Sequence, residues 1–445
     1  MEFSVWNLVT DVGLIAMLLL VGMFLRARIG LLQRSFMPAS IIAGILGLIL
    51  GPNMLGWLPF SDFIGDYPGV LITIVFASIP LTTGRFNIKK TINKVGGLWS
   101  YSQIAMLLMW GLGLVFALVL LGPVFDLHNG FGLILAAGFV GGHGTAAAIG
   151  GAFEQQGWEE ATSLAMTSAT LGAILAISVG LLLIKRSADA GYANYISKFD
   201  DLPEELRTGL VPEDKREWMG KDTVSAISID PLLFHIALVM FVSMIGYYLS
   251  KFGESLYAGL SIPAFSIAFL IGLILSLLMQ SADMDKYIDK SVVSKISGSA
   301  TDVLVAFGIA SINLTVVAQN IVPFSILMAF GILFTYVFYR FVSQYYFQEN
   351  WFEKGIFTFG WITGAVAMGI ALLRIVDPRL ESNTLEDYGL AYIPIAPVEI
   401  ALITFAPLFI ASGQHWLFAL ITIGASAAIL IFSYTRGWLH VKRQG

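Results

Sequence analysis

The chain has 445 residues, 57% hydrophobic and only 12% charged, against about 25% charged in soluble domains. With a mean hydropathy of +0.80, this excludes a soluble globular reading. There is no cysteine, which excludes disulfides, thiol catalysis and Cys-based metal sites, and the five His are scattered. The net charge of −5 decides little, because charge in a membrane protein acts loop by loop.

Apolar runs of about 20 residues, enough to cross a hydrocarbon core, recur along the chain. The predicted spans lie near 8–25, 37–57, 69–84, 97–121 and 161–184, then 231–250, 260–280, 298–317, 324–345, 389–411 and 416–435. The opening "MEFSVWNLVTDVGLIAMLLLVGMFLRAR" has no basic residue before its apolar run and no small-residue cleavage site, so it reads as a first span rather than a signal peptide. Arg26, Arg28 and Arg34 follow it, which places the N-terminus outside. Later loops agree. Arg85, Lys89, Lys90 and Lys94, then Lys185 and Arg186, then Lys286, Lys290 and Lys295, and finally Arg436, Lys442 and Arg443 all fall inside, while Asp126 and His128 fall outside. The agreement requires that two further apolar stretches, 131–152 and 355–373, enter and leave by the same face as re-entrant hairpins. Residues 185–230, rich in charge and holding Pro203 and Pro212, read as a solvated linker.

An internal repeat organises these spans. "MPASIIAGILGLILG" from Met37 matches "IPAFSIAFLIGLILS" from Ile262 at eight of 15 positions. "FASIPLTT" from Phe76 matches "IASINLTV" from Ile309, and the Gly stretch at 138–150 faces "FGWITGAVAMGIA" at 359–371, with Gly144 opposite Gly364. The order is kept. The second and seventh spans are five crossings apart, and an odd number reverses orientation. The halves are therefore inverted repeats, the architecture of secondary transporters that work by alternating access. The predicted organisation is an N-terminal repeat over 1–184, the linker 185–230, an inverted C-terminal repeat over 231–411, and an extra helix and tail over 412–445.

The stretch "GFVGGHGTAAAIGGAFEQQG" at 138–157 places Gly where a helix should be stable, at a cost of about 1 kcal/mol each relative to Ala. Non-helical backbone at membrane depth must be satisfied by protein, water or ligand. Half-helix N-termini favour anions, and unwound carbonyls favour cations. Gly142, His143, Gly144 and Thr145, with Thr167 and Thr170 on the next span and Thr363 and Gly364 in the second stretch, are the candidate substrate contacts. The bland alternatives are tight helix packing by Gly and a structural His143 bonded to a carbonyl. For a hard cation such as Na⁺, the oxygen-bearing candidates are Ser78 and Thr82 in one repeat and Ser311, Asn313 and Thr315 in the other. Asp302 and Glu399 lie in predicted spans, where a carboxylate is costly. Asp302 reads first as a helix N-cap, ahead of a cation or proton site. Glu399, about ten residues into its span, reads as a Na⁺ ligand, a proton carrier or an interhelical partner. Arg374 reads as a topology anchor or a substrate partner, and His235 as a packed residue. No nucleophile, metal set or phosphate loop accompanies "GHGT", so an enzyme is not indicated, and no basic patch supports nucleic-acid binding.

"GGHGTAAAIGGAF", Gly157 and "ATSLAMTSATLGAILAISVG" resemble the signature of the bacterial sodium/glutamate symporter family. "SFMPASIIAG" is similar to that family's "YTIPEPVAGG" type, and "VFASIPL" to its "FFATIGL". The resemblance spans about 10–400 and is most specific at 141–172. It implies an all-α polytopic membrane protein of two inverted five-helix repeats with one re-entrant hairpin each, here with an extra C-terminal helix. It also implies a homodimer in the bacterial inner membrane and Na⁺-driven uptake of glutamate or a related small carboxylate. Glu399 falls where the family carries an acidic residue in its tenth span, and the family's Ser stands at Asp302. The second hairpin departs: a family pattern of G-x-G-x-G-A-T-P-T-A-I-A-N-M is replaced by "GWITGAVAMGIALL". H⁺ coupling through Asp302 or Glu399 and an uncoupled channel are the competing readings.

Overall fold

The computed structural model describes residues 4–34, 36–82, 88–190, 192, 204–256, 263–377 and 381–439. Arg85, Lys442 and Arg443, and the side chains of Lys89, Lys90 and Lys94, lie outside them. Among the described residues, ten helices are long and apolar enough to cross a membrane.

The first half holds α1 (Val5–Arg28), α2 (Ala39–Leu50), α3 (Tyr67–Thr82), α4 (Ile88–Phe116), two short helices α5 (Leu133–Phe139) and α6 (Gly142–Glu154), and α7 (Ala161–Asp189). The second holds α8 (Pro231–Leu256), α9 (Ala264–Ser281), α10 (Lys290–Ala310), the short α11 (Leu314–Gln319), α12 (Ile321–Val337), α13 (Trp351–Val376) and α14 (Thr384–Ala411). A last helix, α15, covers His415–Thr435. A π-helical turn follows α4 at Ala117–Leu121 and α12 at Phe338–Val342, the same place in each half.

Two expectations are corrected. The span predicted at 37–57 is a helix of only 12 residues, because Gly51, Pro52 and Asn53 end it after Leu50. At 1.5 Å per residue it extends about 18 Å, short of a hydrocarbon core of about 30 Å. The span predicted to start at 298 starts at Lys290, and Asp302 is not its cap. Asp289 is, its side chain accepting from the backbone N–H of Ser291 at 2.8 Å and Val292 at 3.1 Å. Desolvation pushes the Asp289 carboxyl up, but bonds from the N–H groups of Lys221, Val292 and Ser291 outweigh it and hold it below its ordinary value. His235 is buried beside this cap. Its Nε2 accepts from the Asp289 N–H at 2.8 Å, so the proton sits on Nδ1, which donates to the Pro231 carbonyl at 2.6 Å.

The helices gather into two compact units that cut across chain order. The first comprises Met1–Gly22, Ala39–Phe86 and Val211–Ile312, and the second Met23–Pro38, Asn87–Leu210 and Asn313–Gly445. Within the first, the repeated segments pack reciprocally. A Cβ on Gly47 would stand 2.8 Å from the Ala310 Cβ, and one on Gly272 2.9 Å from the Ala77 carbonyl. Gly47 and Gly272 are aligned in the repeat, as are Ala77 and Ala310. Lipid tails are as apolar as side chains, so such close approach by small residues is what holds membrane helices together.

Asp11 of α1 is fully buried in the same unit. It accepts from the Ser61 N–H at 2.9 Å, the Ser61 hydroxyl at 2.5 Å and the Tyr67 hydroxyl at 2.9 Å. This pins the segment between α2 and α3 to α1. Asp11→Ala strands these donors, at a cost of about 2–4 kcal/mol. A drop of several degrees in the melting temperature of the purified protein is the expected result, with a smaller drop for Asp11→Asn; an unchanged temperature for Asp11→Ala would remove this role.

Candidate functional site

The second unit contains both Gly-rich stretches. Between α5 and α6 the chain turns at Val140, Gly141 and Gly142, and Gly142 adopts φ +66. That left-handed conformation is one that side chains resist. The turn doubles the chain back: a Cβ on Gly130 would lie 2.7 Å from Cζ of Phe153, and the His128 ring stacks on Trp158 at 4.3 Å.

The second stretch does the same inside α13. The helix breaks at Gly364 (φ −144, ψ 30) and Ala365 (φ 67, ψ 172). A Cβ on Gly360 would stand 2.7 Å from the Gly369 Cα, whereas a continuous helix would hold these residues about 13 Å apart. Only bare backbone lets the two arms meet. The Lys354–Asp387 ion pair, at 3.3 Å, joins the first arm to the start of α14.

The two tips touch. A Cβ on Gly142 would be 2.8 Å from the Ala365 Cβ, so the left-handed residue of one break faces that of the other. Both rest on α7. A Cβ on Gly172 would meet the Thr363 carbonyl at 2.5 Å, and one on Gly364 the Ala176 Cβ at 2.8 Å. Each second arm begins at its tip, where the first four N–H groups of a helix lack intrahelical partners and carry partial positive charge. Each first arm ends there with carbonyls. The Thr363 hydroxyl, fully buried at the second tip, has no hydrogen-bond partner. A buried orphan of this kind marks a place for water or a ligand.

The other expected substrate contacts surround these tips. His143 is buried, with Nε2 3.0 Å from the Thr170 hydroxyl oxygen. That hydroxyl donates to the Met166 carbonyl at 2.9 Å, so His143 is the donor to it and its Nε2 carries the proton. The Thr167 hydroxyl donates to the Ser163 carbonyl at 2.7 Å, and the Ser163 hydroxyl accepts from the Asn313 N–H at 3.0 Å. Thr145 packs on Gly141, and Gly144 is half-buried in the first turn of α6.

The oxygen set expected for a cation is divided. Ser78, Thr82, Asp302 and Ser311 belong to the first unit; Asn313, Thr315 and Glu399 belong to the second. The Ser78, Thr82 and Ser311 hydroxyls donate to the carbonyls of Ile74, Ile79 and Gly308, which leaves their lone pairs for a ligand. The Asn313 amide oxygen caps α11 through the N–H groups of Thr315 and Val316. Asp302 is exposed in the middle of α10. Glu399 is buried in α14 and accepts from the Tyr392 hydroxyl at 2.8 Å. Tyr392 and Tyr388 in turn lie against Trp361, at ring distances of 6.5 and 5.3 Å, two residues before Thr363. This aromatic bridge went unread in the sequence, although positions 388, 392 and 399 fall on one face of a 3.6-residue period. No group of three or more His, Asp or Glu stands together among the described residues.

Similarity to known proteins extends over both tips. The family model described as sodium/glutamate symporter matches residues 5–369. The sodium/glutamate symporter of Haemophilus influenzae is 23% identical over 384 residues, covering 82% of this chain and 88% of the relative. The match runs from α1 to just past the second break, so both tips fall within it, and α14 and α15 lie beyond its end. This multi-pass chain, a transporter rather than an enzyme, belongs to the sodium/glutamate symporter family.

Proposed function

We propose that the protein imports glutamate, or a small carboxylate close to it, together with Na⁺, by alternating access across the bacterial inner membrane. The observation that carries this reading is the meeting of the two backbone breaks at Gly142 and Ala365, beside the unpartnered Thr363 hydroxyl. The N–H groups that open the second arms take the substrate carboxylates, with His143 and Thr170 shaping the wall. The carbonyls that close the first arms, with the Thr363 hydroxyl and Glu399, are suited to Na⁺. In this reading the two stretches are re-entrant hairpins from opposite faces. The halves 1–184 and 231–411 are inverted repeats joined by the linker 185–230, with the residues from 412 on added to the second. The reciprocal Gly47–Ala310 and Gly272–Ala77 approaches support that symmetry. The N-terminus lies outside and the C-terminus inside, two copies form a homodimer, and one unit moves relative to a fixed scaffold as the tips open to each side.

Coupling to H⁺ is the second reading, favoured by the burial of Glu399 against Tyr392. Purified protein in liposomes, given labelled glutamate with an inward Na⁺ gradient, an inward H⁺ gradient or neither, decides between them. Accumulation that requires Na⁺ is the expected result. Accumulation driven by H⁺ alone selects the second reading, and downhill flux indifferent to both gradients selects an uncoupled channel.

A further inference from the structure

The exposed face of α10 is polar for three turns, in a helix of membrane length. Ser294, Lys295, Gly298, Ser299 and Asp302 are its exposed residues from position 294 to 302, and the opposite side, with Val292, Val293, Ala300 and Leu304, is buried in the first unit. The neighbouring helix α9 is the internal contrast. Its exposed residues over 270–278 are Leu270, Leu273, Ile274, Leu277 and Leu278, as a lipid-facing surface requires. Polar and ionisable side chains at that depth face water or protein rather than lipid tails. From its Asp289 cap, α10 reaches Asp302 after 13 residues, about 20 Å along the axis and so roughly two-thirds of a hydrocarbon core. Lys295 stands near the entrance of this stripe and Asp302 at its inner end.

We propose that this face lines a water-filled vestibule, running from the cytoplasmic end of α10 to the depth of Asp302, and that Asp302 draws cations into it. The direction of the vestibule rests on the orientation given under Proposed function; its wetness does not. The sequence offers a clean test, because the chain has no native cysteine. Ser294→Cys, Gly298→Cys and Ser299→Cys place single thiols along the stripe, and at Gly298 a new Cβ meets nothing within 4 Å. Leu273→Cys and Leu277→Cys report a lipid-facing surface, and Val293→Cys a buried one. Each variant is exposed, in inside-out and right-side-out vesicles, to membrane-impermeant thiosulfonates of either charge.

The three stripe thiols are expected to react from the cytoplasmic side at least tenfold faster than the three controls. Between positions 294 and 299 the preference should swing toward the cationic reagent by about threefold, because the Asp302 charge stands roughly 6 Å from position 299 and roughly 12 Å from position 294 in a water-like medium. Asp302→Asn should abolish the swing and leave the labelling. Stripe thiols as slow as Leu273→Cys would overturn the vestibule, since the face would then be packed against lipid or protein. A swing that survives Asp302→Asn would overturn the role of Asp302. Labelling only from the other side would overturn the orientation, and with it the cytoplasmic vestibule. None of these readouts depends on which substrate is transported, so a failed glutamate assay leaves the labelling result standing.

Discussion

Gly142→Val is expected to abolish uptake while leaving a protein that inserts and purifies. Position 142 has φ +66, where an L-residue pays about 1–2 kcal/mol and a β-branched one more. A side chain there would also reach the Ala365 Cβ, 2.8 Å away, so the two tips must part. The rest of the second unit need not change, because the displaced segment is a tip and not a packed arm. Gly142→Ala tests the cause more finely. It should reduce the initial rate by tenfold or more, and adding Ala365→Gly should restore part of it. Ala365→Gly alone relieves the strain of φ 67 on a non-Gly residue and should be tolerated. Initial uptake rates in proteoliposomes, beside a melting curve for each variant, are the measurement. A wild-type rate for Gly142→Val would show that the meeting of the tips is not where substrate is bound.

What the sequence made legible follows the range of each signal. Apolar runs and loop charges located the long helices, because both are counted within a single segment. The first break was legible because Gly is costly in a helix yet recurs at 138–151, although Gly138 and Gly150 prove to serve close packing on α7, and the repeat brought the second break to Gly364, beside Ala365 where the chain turns. Cap chemistry was misread where local cues conflicted. Lys290, Lys295 and the serines between them lower the apolar signal of the first turns of α10, so its start slid to 298 and Asp302 looked like a cap. The run at 37–57 is apolar throughout most of its length, yet Gly51 and Pro52 end the helix early. Asp11 could not be read at all, since its partners Ser61 and Tyr67 lie 50 and 56 positions away and no pattern links them. The division into units was hidden for the same reason: each unit is assembled from both halves by long-range packing.

Glu399→Gln is expected to raise the half-saturating Na⁺ concentration for uptake by about 30- to 150-fold, corresponding to the roughly 2–3 kcal/mol of a contact to a charged group. The substitution keeps side-chain volume and an oxygen that can accept from Tyr392, so the fold and the aromatic bridge to Trp361 should persist. Only the charge is lost. Tyr392→Phe makes the complementary change, removing the donor and keeping the charge, and should cost only a few-fold. The pair separates a ligand from a packing residue: if Glu399 merely anchored α14 through Tyr392, Tyr392→Phe would be as damaging as Glu399→Gln. It also separates the two coupling ions. A Na⁺ ligand lost at position 399 leaves uptake that recovers at high Na⁺. A proton carrier lost there leaves net uptake abolished at every Na⁺ concentration, while exchange of internal for external substrate continues, because exchange needs no return of the empty, deprotonated carrier. Recovery at high Na⁺ would support the assignment of Glu399 to Na⁺, and exchange without net uptake would transfer it to H⁺.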